Sequence, residues 1–208
     1  AILGPLLAVA LMLLLNDDFR TVFWFAVIPG FLSVFLLVVG VKEPETPSAN
    51  KRSNPLRKEN LMKLNRSYWW VVGIGAVFTL ARFSEAFLVL RAQQLGIPTA
   101  FVPLMMVIMN LVYSASAYPF GKISDNTSHN KLLSLGLLVL IASNLMLASG
   151  TNMLAVALGI SLWGLHLGIT QGLLATMVAD SAPMEMRGTA FGFFNLVSGI
   201  ALLIASVT

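Results

Sequence analysis

No cysteine occurs among the 208 residues, which excludes a disulfide framework, a thiolate metal site and catalysis by a thiol. Charged residues are scarce as well. They make up 11% of the chain, against about 25% in an ordinary soluble domain, while 57% is hydrophobic. A water-soluble enzyme or a nucleic-acid partner is therefore not expected, although the formal net charge is +4. Histidine is limited to His129 and His166, too far apart in sequence to suggest a metal cluster. Nucleophile elbows, HExxH and phosphate-cradling loops are also missing. The expectation is a protein that is not an enzyme and that carries neither metal nor cofactor.

What the chain does have is long apolar runs. About 20 such residues, coiled as a helix, cross the roughly 30 Å of a bilayer's hydrocarbon. Six runs qualify: residues 21–41, 68–90, 100–120, 131–149, 153–179 and 188–208. A seventh, 1–15, is shorter, and Gly4-Pro5 interrupts it. Both ends of the chain fall inside apolar sequence, which reads as a fragment truncated at both ends. The fold class expected is all-α, a polytopic transmembrane helical bundle.

Cation placement orients that bundle. Ten of the thirteen Lys and Arg residues fall in the alternate connections 42–67, 121–131 and 180–187, and the positive-inside rule assigns that side to the cytoplasm. The basic balance thus reads as topology. Residues 42–67 are rich in Pro, Ser, Asn and charge and predict a cytoplasmic linker, dividing two helices in 1–41 from five in 68–208.

Polar residues inside apolar runs are costly and point to a wet or protein-lined face. Arg82 and Glu85 stand three residues apart, on one face if residues 68–90 form a single helix. Two readings stand for them: a structural ion pair, or an anion-attracting arginine beside a carboxylate that exchanges protons. Gly164, Gly168, Gly172 and Thr176 recur every fourth residue as a stripe for close helix packing, with His166 and Trp163 projecting elsewhere on the same helix. Gln171, nearer the glycines, reads as an interhelical hydrogen bonder. Asn110 and Tyr113 mark a solvated wall in the 100–120 run. Gly188, Gly192, Asn195 and Gly199 predict a tightly packed side on the last helix. Runs 21–41 and 131–149 are apolar nearly all round and predict lipid exposure on most sides.

The turns carry a resemblance. Gly121-x-x-x-Asp125, followed by Lys131, resembles the loop signature between helices eight and nine of the major facilitator superfamily of secondary transporters. Pro183 to Gly188, with Arg187, is similar to that family's connection from helix ten to eleven, and Gly4-Pro5 to the Gly-Pro of its helix five. Asn126, Ser128, His129 and Asn130 stand where the family's signature continues with basic residues and glycine. The resemblance implies helices five to eleven of a transporter in the cell (inner) membrane, spanning it many times. A small solute would move by alternating access, with protons as a candidate coupling ion and the remaining helices of a longer chain as partners. It places Arg82, Glu85 and His166 on cavity-lining helices, and together with Asn110, Tyr113 and Trp163 from the residue patterns these are the expected substrate or coupling residues. A cytoplasmic gate would use Gly121, Asp125, Lys131 and Arg187, with an Asp125–Arg187 contact as its latch, and Gly4, Pro5, Gly164, Gly168 and Gly172 would pack helices. The rival readings are a seven-helix receptor and an integral-membrane enzyme.

Overall fold

Backbone groups placed in hydrocarbon have no water to bond, so a chain of apolar runs closes its hydrogen bonds within helices. The computed structural model describes residues 3–16, 18–40, 64–98 and 101–207, and every regular element among them is helical. In order these are α1 (Leu3–Leu14), α2 (Phe19–Gly40), α3 (Arg66–Leu80), α4 (Ala86–Gln94), α5 (Val102–Ser124), α6 (His129–Ser149), α7 (Met153–Ser181), a 3-10 turn (Met184–Met186) and α8 (Arg187–Val207). Five of them, α2, α5, α6, α7 and α8 with its preceding turn, are long and apolar enough to cross a membrane. The linker expected over 42–67 lies outside the described residues except for 64–67.

Local signals set the helix starts. Asn65 Oδ1 accepts from the Tyr68 amide at 2.8 Å and caps α3, and Asn152 Oδ1 does the same for α7 through the Ala155 amide at 2.8 Å. Asp18 caps α2, accepting from the backbone amides of Arg20 and Thr21 and from the Thr21 hydroxyl.

Helix α7 is the centre of the bundle. It packs along α5 and α6 and also meets α3 and α8. Close approach to α5 depends on glycine: a Cβ on Gly164 would collide with the Met109 carbonyl, and one on Gly168 with the Ser116 hydroxyl. The expected glycine stripe is thus real at these two positions. It ends there. Gly172 meets nothing within 4 Å, because α5 and α7 part at this level and leave a groove of about 700 Å³ between them. Gly4 likewise meets nothing within 4 Å, so its expected packing role has no partner among the described residues. Pro5 sits in the first turn of α1, where its missing N–H interrupts no helical bond.

Two further expectations are corrected. The run 68–90 is not one helix: α3 stops at Leu80, residues 81–85 form an irregular break, and α4 resumes at Ala86. Helix α6 is free on most sides among the described residues, as expected, and packs through one face. It buries Leu132, Leu133, Gly136, Leu140, Ser143 and Leu147 as one stripe, and the Ser143 hydroxyl donates to the Gly159 carbonyl of α7 at 2.7 Å. On α8 the glycine side does not pack against the described residues, since Gly188, Gly192 and Gly199 each meet nothing within 4 Å. The larger residues do the packing instead: Ala190 and Ala201 are buried, and Phe194 presses against Gly75 of α3. The Tyr68 hydroxyl ties the same pair of helices by donating to the Ala190 carbonyl at 2.9 Å.

Candidate functional site

The break at 81–85 positions the site. It leaves Arg82 on the wall of a cavity of about 290 Å³ formed by α3, α7 and α8, lined also by Phe78, Thr79, His166, Thr170, Gln171, Phe191, Phe194, Asn195 and Ser198. Among the described residues, the Arg82 guanidinium makes no hydrogen bond. Glu85 is near enough to attract it, yet no ion pair within 4.0 Å joins the two. The expected geometry of neighbours on one helical face does not hold, because both residues lie where the helix has stopped.

His166 is 2% exposed and borders this cavity. Its Nδ1 lies 2.8 Å from the Gly136 carbonyl of α6. A carbonyl only accepts, so Nδ1 carries the proton, and Nε2 is the ring atom left for other partners. The imidazole lies nearly parallel to Phe78, with ring centroids 6.3 Å apart. Gly136 matters twice here, since a side chain at that position would also collide with Thr170.

The other expected residues are distributed around this centre. Trp163 is fully buried and does not line the cavity: its indole packs on Phe83 of the break at 4.8 Å, and its N–H has no partner among the described residues. Phe83 in turn meets Phe87 edge-on at 5.6 Å. Asn110 donates to the Met106 carbonyl of its own helix at 2.8 Å. Tyr113 donates to Gln171 Oε1 at 3.1 Å, so Gln171 does bond between helices, with its amide on the cavity wall.

The turn residues form a separate region. Asp125, Gly121 and Tyr113 line the groove between α5 and α7 together with Gly168, Gly172 and Thr176. Asp125, Lys131 and Arg187 are all exposed. Arg187 Nε donates to the Ala179 carbonyl at the end of α7, 3.1 Å away, and no ion pair within 4.0 Å joins it to Asp125. Arg187 therefore ties down the C-terminal end of its own neighbouring helix, where the dipole favours a cation, and the expected latch is not formed in this conformation.

The arrangement of membrane-length helices around a polar cavity agrees with a direct family comparison, in which residues 1–206 match the Major Facilitator Superfamily. The chain belongs to that superfamily. An uncharacterized transporter of this superfamily from Methanocaldococcus jannaschii is 30% identical over 213 residues, which cover 100% of this chain and 52% of the relative. A second from the same organism is 21% identical over 188 residues, 86% of this chain and 48% of the relative. The chain thus spans about half the length of the curated relatives it matches. No solved structure matches it.

Within this superfamily member, sequence reasoning missed part of the cavity wall. Asn195 and Ser198 line it, although the α8 stripe containing Asn195 was expected to pack. The available signal was modest: two polar residues three apart on an otherwise apolar helix. Arg91 was also missed as a structural group. Its Nε and one terminal nitrogen donate to the Leu147 and Gly150 carbonyls at 3.1 and 2.6 Å, clasping α4 to the C-terminal end of α6.

Proposed function

We propose that the intact protein is a secondary active transporter that moves a small solute across the membrane by alternating access, with the solute seated beside Arg82. The observation that carries this reading is an arginine without a hydrogen-bonded partner among the described residues, set in a helix break on a polar cavity between α3, α7 and α8. Ionised side chains at membrane depth are expensive and mark solute or ion pathways, and broken helices at a cavity are a recurrent way to build transporter sites. Family membership supports the same reading. In it, residues 1–41 close an N-terminal half, 42–67 are the cytoplasmic linker, and 68–208 open a C-terminal half in the cell membrane. Gly121, Asp125, Lys131 and Arg187 then gate the cytoplasmic side, and an Asp125–Arg187 contact belongs to a different conformation of the cycle.

Glu85 is the proposed coupling group, taking up and releasing a proton as access alternates. The test is flux by the full-length protein in proteoliposomes, with and without an imposed pH gradient, for a panel of anionic, neutral and cationic solutes. Gradient-driven accumulation of at least one solute, lost in E85Q with exchange retained, is the expected result. Accumulation that ignores both the gradient and E85Q would remove proton coupling, and a panel without any flux would remove the transporter reading.

A further inference from the structure

The cavity beside Arg82 is rich in hydrogen-bond donors and has no carboxylate on its wall. Arg82 presents five N–H groups with no hydrogen-bonded partner among the described residues. The Gln171 amide keeps its N–H groups free because only its oxygen is engaged, by Tyr113. Ser198 Oγ is buried without a hydrogen-bond partner among the described residues. Two charged or titratable groups face Arg82: Glu85, which is not ion-paired to it, and His166, whose Nδ1 is held by Gly136. The rest of the wall is apolar, with Phe78, Phe191 and Phe194 as its large surfaces.

We infer that this cavity takes an organic anion, a carboxylate on an apolar or aromatic body, with Arg82 as its bidentate counter-charge. The guanidinium fork matches a carboxylate's two oxygens, the Gln171 and Ser198 donors suit an acceptor-only group, and the phenyl rings offer the body a surface to bury. A cation would meet the Arg82 charge with no carboxylate among the described wall residues to offset it. A bare inorganic anion would leave the rings uncovered. At about 290 Å³, the part of the cavity walled by these helices is at the small end of ligand sites. The inference deepens the transporter reading and rests on it for the idea that the occupant is a solute, so binding is measured apart from flux.

The experiment is thermal stabilisation and equilibrium binding on the purified full-length transporter, with benzoate, acetate, benzamide and benzylamine as probes. Benzoate is expected to stabilise, acetate to do so far more weakly, and benzamide and benzylamine to have no effect. R82Q is expected to weaken benzoate about ten- to a hundred-fold, with R82K recovering part of the loss. Asn195→Asp, at an exposed position on the wall, is expected to fold and to weaken benzoate about ten-fold by adding a like charge. Equal binding of benzamide or benzylamine, unchanged benzoate affinity in both R82Q and Asn195→Asp, or no binding of any probe would overturn the inference. Benzoate binding with the expected pattern, together with no flux of any solute, would leave the inference standing and remove the transporter reading instead.

Discussion

Helices α2 and α7 are both long enough to cross a membrane, and α2 is the more apolar of the two. Yet among the described residues α2 buries none of its 22, whereas α7 buries thirteen of 29. Apolarity does not sort these helices, because lipid tails receive a leucine as readily as a neighbouring helix does. What sorts them is the presence of small and polar residues. Gly159, Gly164 and Gly168 let α6 and α5 approach α7 closely, while His166 forms a hydrogen bond across to α6. In α2 the corresponding surface is Phe, Val, Leu and Ile turned outward.

The comparison is broken most severely by filling the close contact. G164L is expected to destabilise by about 3 kcal/mol or more, since the Met109 backbone cannot yield as a flexible side chain would. G172A, one position beyond the contact, is expected to change stability by less than about 0.5 kcal/mol. Thermal denaturation of the full-length protein in detergent measures both, and equal tolerance of the two would abolish the distinction between packed and open parts of the stripe. Next in size is R91A. Losing two charge-assisted bonds to the end of α6 is expected to cost about 1.5–3 kcal/mol, with R91K recovering part, read from the same melting curves.

Ser143→Ala tests the polar glue on α7's other side. A loss of about 0.6 kcal/mol is expected, against no measurable change for Phe31→Leu on the exposed face of α2. The smallest effect belongs to the cap of α2. The Thr21 hydroxyl, opposed by desolvation and helped by the Thr21 and Arg20 amides, holds the Asp18 carboxyl below its usual range. Because the folded value is the lower one, the cap contributes stability above the ordinary aspartate pKa of about 4 and loses it as pH falls through the folded value. The protection of the Arg20 and Thr21 amides, taken relative to intrinsic exchange at each pH, is expected to fall on that descent, and that of D18A to be insensitive to it.

The helical, membrane-spanning character was legible because hydropathy and length alone decide it. The packed glycines of α7 were legible too, from the four-residue repeat that puts Gly164 and Gly168 on one face. The break at 81–85 was not, since Ala81-Arg82-Phe83-Ser84-Glu85 contains neither glycine nor proline and reads as a continued helix. That miss displaced the relation between Arg82 and Glu85. Trp163 was misplaced because an aromatic on a polar helix can as easily seal a core as line a cavity, and only tertiary packing on Phe83 decides. The α8 glycines show the converse limit: a small-residue stripe announces close approach without naming the partner, and among the described residues none of Gly188, Gly192 and Gly199 has one.

The polar cavity itself is open to a simple probe, because the chain contributes no native cysteine. Single cysteines at Ala175 and Asn195, both exposed on its wall, are compared in intact membranes with cysteines at Phe31 and Leu138 on outward-facing helix surfaces. A membrane-impermeant thiol reagent is expected to label 175 and 195 from one side or the other, and to leave 31 and 138 untouched. Failure to label 175 and 195 from either side, or labelling of all four alike, would contradict a water-filled cavity enclosed by these helices.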